Sequence, residues 1–181
     1  KNIEQGLKAM FVDMSRKLKG AHEGYDYPDI DEMVSNVRDP LDREILETMK
    51  LFNTGHALAT YERLSEVGLF GLLYPSTRRV QTSGLDSHNK FVLKALRNTD
   101  HRILNGKSVN PAFLISVFLW YPMKTIYSAE VHRGKNQKDA LRLASDRILH
   151  EQVRVLAVPR RFAQAVRDIW ELQARFSNRS P

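Results

Sequence analysis

An all-α fold is the class this sequence predicts, and three observations predict it. The run VNPAFLISVFLWYPM, Val109 to Met123, has only Ser116 to soften its apolar character between Ala112 and Tyr121. A segment apolar on every side belongs at the centre of a helical domain, with amphipathic helices packed around it. Elsewhere apolar residues recur every three or four positions, the spacing that gathers them on one helix face. No stretch alternates polar and apolar residues for long enough to argue a strand. At 181 residues the chain suffices for one good-sized core, or for one domain with an extension.

Taken in order, the first element is a stripe over residues 2–19: Ile3, Leu7, Met10, Met14 and Leu18. Gly20 stops it, and Arg16, Lys17 and Lys19 crowd its last turn, where the helix dipole favours cations. Residues 20–31, GAHEGYDYPDID, read as a loop, with a short helix expected from Glu32 to Val37. Asp39 then caps a helix that has Pro40 at its first position, Asp42 close behind, and Leu41, Ile45, Met49 and Phe52 inward. Gly55 ends it. The next helix, His56 to Val67, carries Leu58, Tyr61, Leu64 and Val67 and ends at Gly68. The two should form an antiparallel pair across a tight turn. Residues Leu69 to Pro75 read as a short apolar segment stopped by the proline.

Residues 76–85 read as a polar, partly basic loop containing Arg78 and Arg79. A long helix follows from Asp86 to Leu104, burying Val92, Leu96 and Ile103 and ending at Gly106. Asn110 caps the central apolar helix, and Pro111 sits in its first turn, where no donor is missed. Pro122 removes a backbone donor and biases Tyr121 away from helical angles, so the central helix is expected to stop there. Residues 124–133 form a separate weak helical segment, and Gly134 to Asn136 a break. Asp139 to Leu156 form a helix with Leu143 and Ile148 inward. Pro159 starts the last helix, with Phe162, Val166, Ile169, Leu172 and Phe176 as core face, and Ser177 to Pro181 fray. The division is a helical N-terminal extension, 1–38, and an all-helical domain, 39–181.

Charge narrows the classes of ligand. The chain is +7 at neutral pH with a pI near 9.7, but residues 1–47 carry −4, residues 48–134 +6 and residues 135–181 +5. An acidic partner, above all nucleic acid, therefore leads the possibilities. Zero cysteines exclude disulfides, thiolate metal sites and cysteine nucleophiles. They fit an intracellular protein, cytoplasmic if bacterial, with an organelle left open. The apolar run is too short to span a bilayer, so no membrane partner is expected. Asp29-Ile30-Asp31 has the spacing of metal-holding carboxylates, but it follows a proline and leads into a helix, so capping is the better reading. The histidines lack metal-ligand spacing and no serine or threonine lies in a nucleophile-elbow pattern.

Two basic stripes say more. Lys90, Lys94, Arg97 and His101 fall on one face of the long helix, opposite Val92 and Leu96. Arg160, Gln164, Arg167, Glu171 and Arg175 share a face of the last helix, with Arg161 beside them. A single stripe of this kind is more often a solvated face. Two stripes, with Arg78, Arg79 and Arg154, in a region poor in acids raise the odds of a track for phosphates. Arginine outnumbers lysine in residues 135–181, which suits phosphate forks. His150 and Trp170 are candidates to stack bases, Trp170 being the better core residue.

Three segments carry a family resemblance: ETMKLFNTGHALATYERLSEVGLFGLLYP, VLKALRNTDHRILNGKSVNPAFLISVFLWYP and VRVLAVPRRFAQAVRDIWELQARFS. In this order, from about Asp42 to Ser177, they resemble the C-terminal part of bacterial poly(A) polymerases. These enzymes add adenylates to RNA 3′ ends without a template and are akin to the CCA-adding enzymes. The resemblance implies an all-helical neck and body followed by an arginine-rich RNA-binding region. It also implies a separate α/β head that holds the catalytic carboxylates, Mg²⁺ and ATP. No counterpart of that head is recognised here, so no catalytic residue carries over and no cofactor is expected in this chain. Residues 1–38 do not match the expected neck. The reading is an RNA-binding body with Arg160, Arg161, Arg167 and Arg175 as one wall, Lys90, Lys94 and Arg97 as another, and Arg78 and Arg79 nearby. The N-terminal stripe is a candidate for docking on a protein partner. The runner-up is a non-catalytic structural subunit of a ribonucleoprotein assembly such as a ribosome.

Overall fold

The computed structural model describes residues 46–82 and 86–177. The N-terminal stripe, the loop and short helix after it, Asp29-Ile30-Asp31, the Asp39-Pro40 helix start and residues 178–181 lie outside the described residues. Among those described run seven helices: α1 (Ala57–Glu66), α2 (Leu69–Leu73), α3 (Pro75–Thr82), α4 (Asp86–Leu104), α5 (Pro111–His132), α6 (Gln137–Val153) and α7 (Arg160–Ser177). Residues 46–50 are helical too and turn into α1 through residues 51–55. No strand occurs among the described residues, and the fold is all-α as the periodicity predicts.

The apolar run sits where its composition requires. Helices α3, α4, α6 and α7 all pack on α5. Ala112, Leu114, Ile115, Val117, Phe118, Leu119 and Met123 are buried, and the Asn110 side chain caps the helix by accepting from the Ala112 N–H at 2.9 Å. Phe118 is the hub of an aromatic cluster, with ring centroids 5.2 Å from Phe52, 5.0 Å from Phe70 and 5.0 Å from Tyr74. Each such side chain contributes about 1.5–3 kcal/mol when withdrawn from water.

The central helix does not stop at Pro122. It continues ten residues further to His132, with Pro122 buried inside it. A proline costs a helix the bond to the carbonyl four residues back, here that of Phe118. That carbonyl accepts instead from the Thr77 hydroxyl at 2.7 Å. The missing donor is thus supplied by another helix, and the segment expected to be separate is the second half of α5. Gly134, at φ +89°, leads out of α5, and the Asn136 side chain caps α6 by accepting from the Asp139 N–H at 2.9 Å.

Thr77 belongs to the second departure, because most of the expected loop 76–85 is α3. Pro75 opens this helix instead of merely closing the segment before it, and the Tyr74 carbonyl accepts from the Thr77 and Arg78 N–H groups, both at 3.1 Å. Ser76, Thr77 and Val80 are buried. The serine and threonine that made the stretch look like a loop have polar groups of neighbouring helices as partners.

Three inward faces also differ from the spacing argument. Val67 and Leu143 are exposed, and α6 buries Ala140, Ala144, Ser145, Ile148, Leu149 and Gln152 instead. Small residues on that line let α6 lie close against α5. On α7 the buried line is Phe162, Val166 and Trp170; Ile169 is half-buried and Leu172 is 51% exposed. The Trp170 indole N–H donates to the Ser116 carbonyl at 3.1 Å, so the largest side chain reaches deepest. The Phe176 side chain lies outside the described residues. By contrast Val92, Leu96 and Ile103 of α4 are buried as expected.

The start of α1 shows how far apart in sequence a helix and its cap can lie. His56 makes no side-chain cap. The Asp100 carboxylate of α4 accepts from the Ala57 N–H at 2.5 Å and the Leu58 N–H at 3.1 Å. Gly55 allows this approach, since its φ is +79° and an added Cβ would lie 3.1 Å from the Leu104 side chain.

Candidate nucleic-acid interface

Pro159 provides the carbonyl that accepts from the Phe162 and Ala163 N–H groups, both at 2.9 Å, and so starts α7 directly after the short connection from α6. A short connection lays successive helices side by side. Between α6 and α7 opens a cleft of about 790 Å³. Its polar lining is Asp146, Arg147 and His150 from α6 with Arg160, Gln164 and Arg167 from α7; Leu149, Val153, Val158 and Ala163 supply the apolar lining.

Three arginines therefore share this space with one carboxylate. Asp146 is occupied: the Arg167 Nε and Nη2 lie 3.0 and 2.9 Å from its Oδ1. Arg147 lies 3.5 Å from Glu151, whose other oxygen already accepts from Arg79 at 2.9 Å and from the Ser76 hydroxyl at 3.2 Å. Arg160 makes no ion pair among the described residues, and it begins α7, whose amino end adds a positive dipole. The Gln164 amide donates to Asp168 at 2.9 Å. The arrangement offers an anion charge-assisted donors from two helices over an apolar floor.

The sequence-predicted residues divide into groups. Arg160 and Arg167 meet in the cleft. Arg161 is exposed with its guanidinium 4.9 Å from the Phe162 ring. Arg175 lies two turns beyond Arg167 and pairs with Glu171 at 4.0 Å. Arg79 reaches the cleft's edge through Glu151, and Arg78 is exposed on α3 with its stem against Gly71. Lys90, Lys94, Arg97 and His101 are all exposed on α4. Helix α4 packs mainly on α1, α3 and α5, so these four form a face apart from the cleft.

Arg147 is the residue the stripe argument missed. The signal was present, since Arg147 and His150 on α6 and Arg154 just past its end stand at i, i+3 and i+7. It was masked by the acids interleaved with them, which the structure shows bound to arginines.

Elsewhere, buried ionisable groups belong to the core. His88 is fully buried, with both ring nitrogens unpartnered and its ring edge-on to Tyr121 at 5.1 Å. Burial lowers its pKa to about 4, so it is neutral at pH 7 and adds nothing to the charge of α4. The Tyr74 hydroxyl, fully buried among the aromatics, is pushed well above the usual range by burial. Among the described residues no group of acids and histidines is placed to hold a metal ion, and no helix is long and apolar enough to cross a membrane.

Comparison with known proteins bears on the same helices. Residues 133–181, which contain the whole cleft, match the family described as Polymerase A arginine-rich C-terminus. The chain is 40% identical over 135 residues to poly(A) polymerase I of Escherichia coli O6:H1, covering 74% of this chain and 29% of that protein. It is 39% identical to the Salmonella typhi enzyme over the same shares. With the Haemophilus influenzae enzyme it is 36% identical over 136 residues, 74% of this chain and 30% of that one. The chain thus spans less than a third of the length of these relatives.

Proposed function

The chain carries a poly(A) polymerase C-terminal region, and from that premise we propose that it is an RNA-binding helical body. It takes RNA with little regard for sequence, through phosphate contacts along its basic faces. The observation that carries this reading is the cleft between α6 and α7, where three arginines face one space and the single carboxylate of the lining is already bound. Arg160, Arg161, Arg167 and Arg175 form one wall of the track, with Arg79 and Arg78 beyond it. Lys90, Lys94 and Arg97 extend it on a second face.

In a complete polymerase such a body would hold RNA behind its 3′ end while a catalytic head added adenylates from ATP with Mg²⁺. This chain's residues bind and position, and none is assigned a catalytic role. The stripe Ile3 to Leu18 is proposed as a contact for a protein partner.

The test is fluorescence anisotropy of the chain with a single-stranded oligoadenylate and with a folded RNA, across a salt series. Salt-steep binding of the single strand is expected. Charge removal at Lys90, Lys94 and Arg97 together, or at the four α7 arginines together, should weaken it. Removing one phosphate-binding charge should flatten the salt slope by about 0.7. Unchanged affinity in both variants would overturn the placement, and a preference for the folded RNA would favour the assembly subunit.

A further inference from the structure

We infer that the α6–α7 cleft is a nucleotide subsite for single-stranded RNA. One phosphodiester is held by Arg160 and Arg147, and one unstacked base lies against His150 over the apolar floor of Val153 and Val158. The inference rests on the RNA-binding reading above and narrows it from a charged surface to one place.

Size is the first ground. At about 790 Å³ the cleft is as large as many small-ligand sites, about 300–1,000 Å³, and it lies open to solvent, as a passing strand requires. Its lining is ten residues from two helices and the connection between them, whereas readers of duplex RNA span many base pairs. An extended strand with its bases turned out is the form of RNA that enters such a space.

Charge is the second. Arg160 has no carboxylate partner among the described residues and stands at the amino end of an 18-residue helix, where anions are favoured. Arg147 is held at 3.5 Å by a carboxylate that also serves Arg79 and Ser76, which leaves several of its five donors for an incoming phosphate. Asp146 would repel that phosphate, but its charge is taken up by Arg167. The carboxylates of this neighbourhood thus orient arginines and do not cancel the site.

The third ground is the pairing of chemistries. A site for inorganic anions needs donors alone. This one places an exposed imidazole and two valines beside the arginines, and a base needs such a flat, partly apolar face. Stacking of this kind is tolerant of sequence because every base offers a π-face.

Binding of a labelled single-stranded oligoadenylate to the full chain separates the possibilities, with R160A, H150A and H150F compared across a salt series. Both side chains are exposed, and circular dichroism verifies folding. R160A should weaken binding about tenfold and flatten the salt slope by about 0.7. H150A should weaken it about fivefold with the slope unchanged, because stacking displaces no counterion, and H150F should restore it. No binding by the unaltered chain would overturn both this subsite and the RNA-binding reading. Binding that R160A and H150A leave intact would overturn the subsite alone. A loss in H150A that H150F does not restore would overturn the base-holding role of His150.

Discussion

Replacing Thr77 by valine should destabilise the fold in a way that depends on a proline in another helix. The Thr77 hydroxyl, fully buried, donates to the Phe118 carbonyl at 2.7 Å. That carbonyl is the one that Pro122 leaves without an intrahelical donor. T77V keeps nearly the same shape, so it opens no cavity of note, and its cost is that of a buried acceptor left unpaired. That cost is about 1–3 kcal/mol, or roughly 2–12 °C in melting midpoint for a chain of this size. P122A returns a backbone N–H to the helix and gives Phe118 its ordinary partner. In that background T77V should cost clearly less, with a coupling of about 1–2 kcal/mol in a double-mutant cycle. Urea denaturation of the four proteins measures all the terms. Equal costs of T77V in the two backgrounds, or no cost at all, would refute the compensation between Thr77 and Pro122.

Two further outcomes follow from buried groups. His88 is held neutral, with its pKa lowered to about 4, while the unfolded chain takes up a proton near 6.5. Stability should therefore be full above pH 7 and fall by about 2 kcal/mol between pH 8 and pH 5, levelling off below pH 4. H88L should remove this part of the slope in urea titrations at the two pH values; an unchanged slope would show that His88 is not its source. Removing the carboxylate that caps α1 from α4 with D100A should cost about 1–2 kcal/mol. The loss should appear as faster amide exchange at Ala57 and Leu58, and exchange as slow as in the parent chain would count against the cap.

The helical class, the buried central run and the cap at Asn110 follow from local rules. A period of three to four residues, a side chain that can cap, and glycines such as Gly68 and Gly106 at helix ends act within a few residues of themselves. The basic character of the last three quarters was equally plain, as was the face of α4 that carries Lys90, Lys94 and Arg97. Half of the cleft was legible in the spacing of Arg160, Gln164 and Arg167. Its other half, Arg147 and His150, was obscured because a one-dimensional reading counts Asp146 and Glu151 as opposing charge.

What only the tertiary structure decided shares one physical cause. The free energy of a polar group or a break in a helix depends on a partner that lies elsewhere in the chain. Pro122 would end a helix standing alone, and it does not end α5 because Thr77, far upstream, supplies the donor. Ser76 and Thr77 look like loop residues until Glu151 and the Phe118 carbonyl are beside them. Trp170 is buried as its size predicts, but only the structure supplies the Ser116 carbonyl that accepts from its N–H and leaves Leu172 outside. The sequence by itself determined most of the helices, α3 excepted, and roughly where the charge lies. The packing of α6 against α7 decided which arginines face one another.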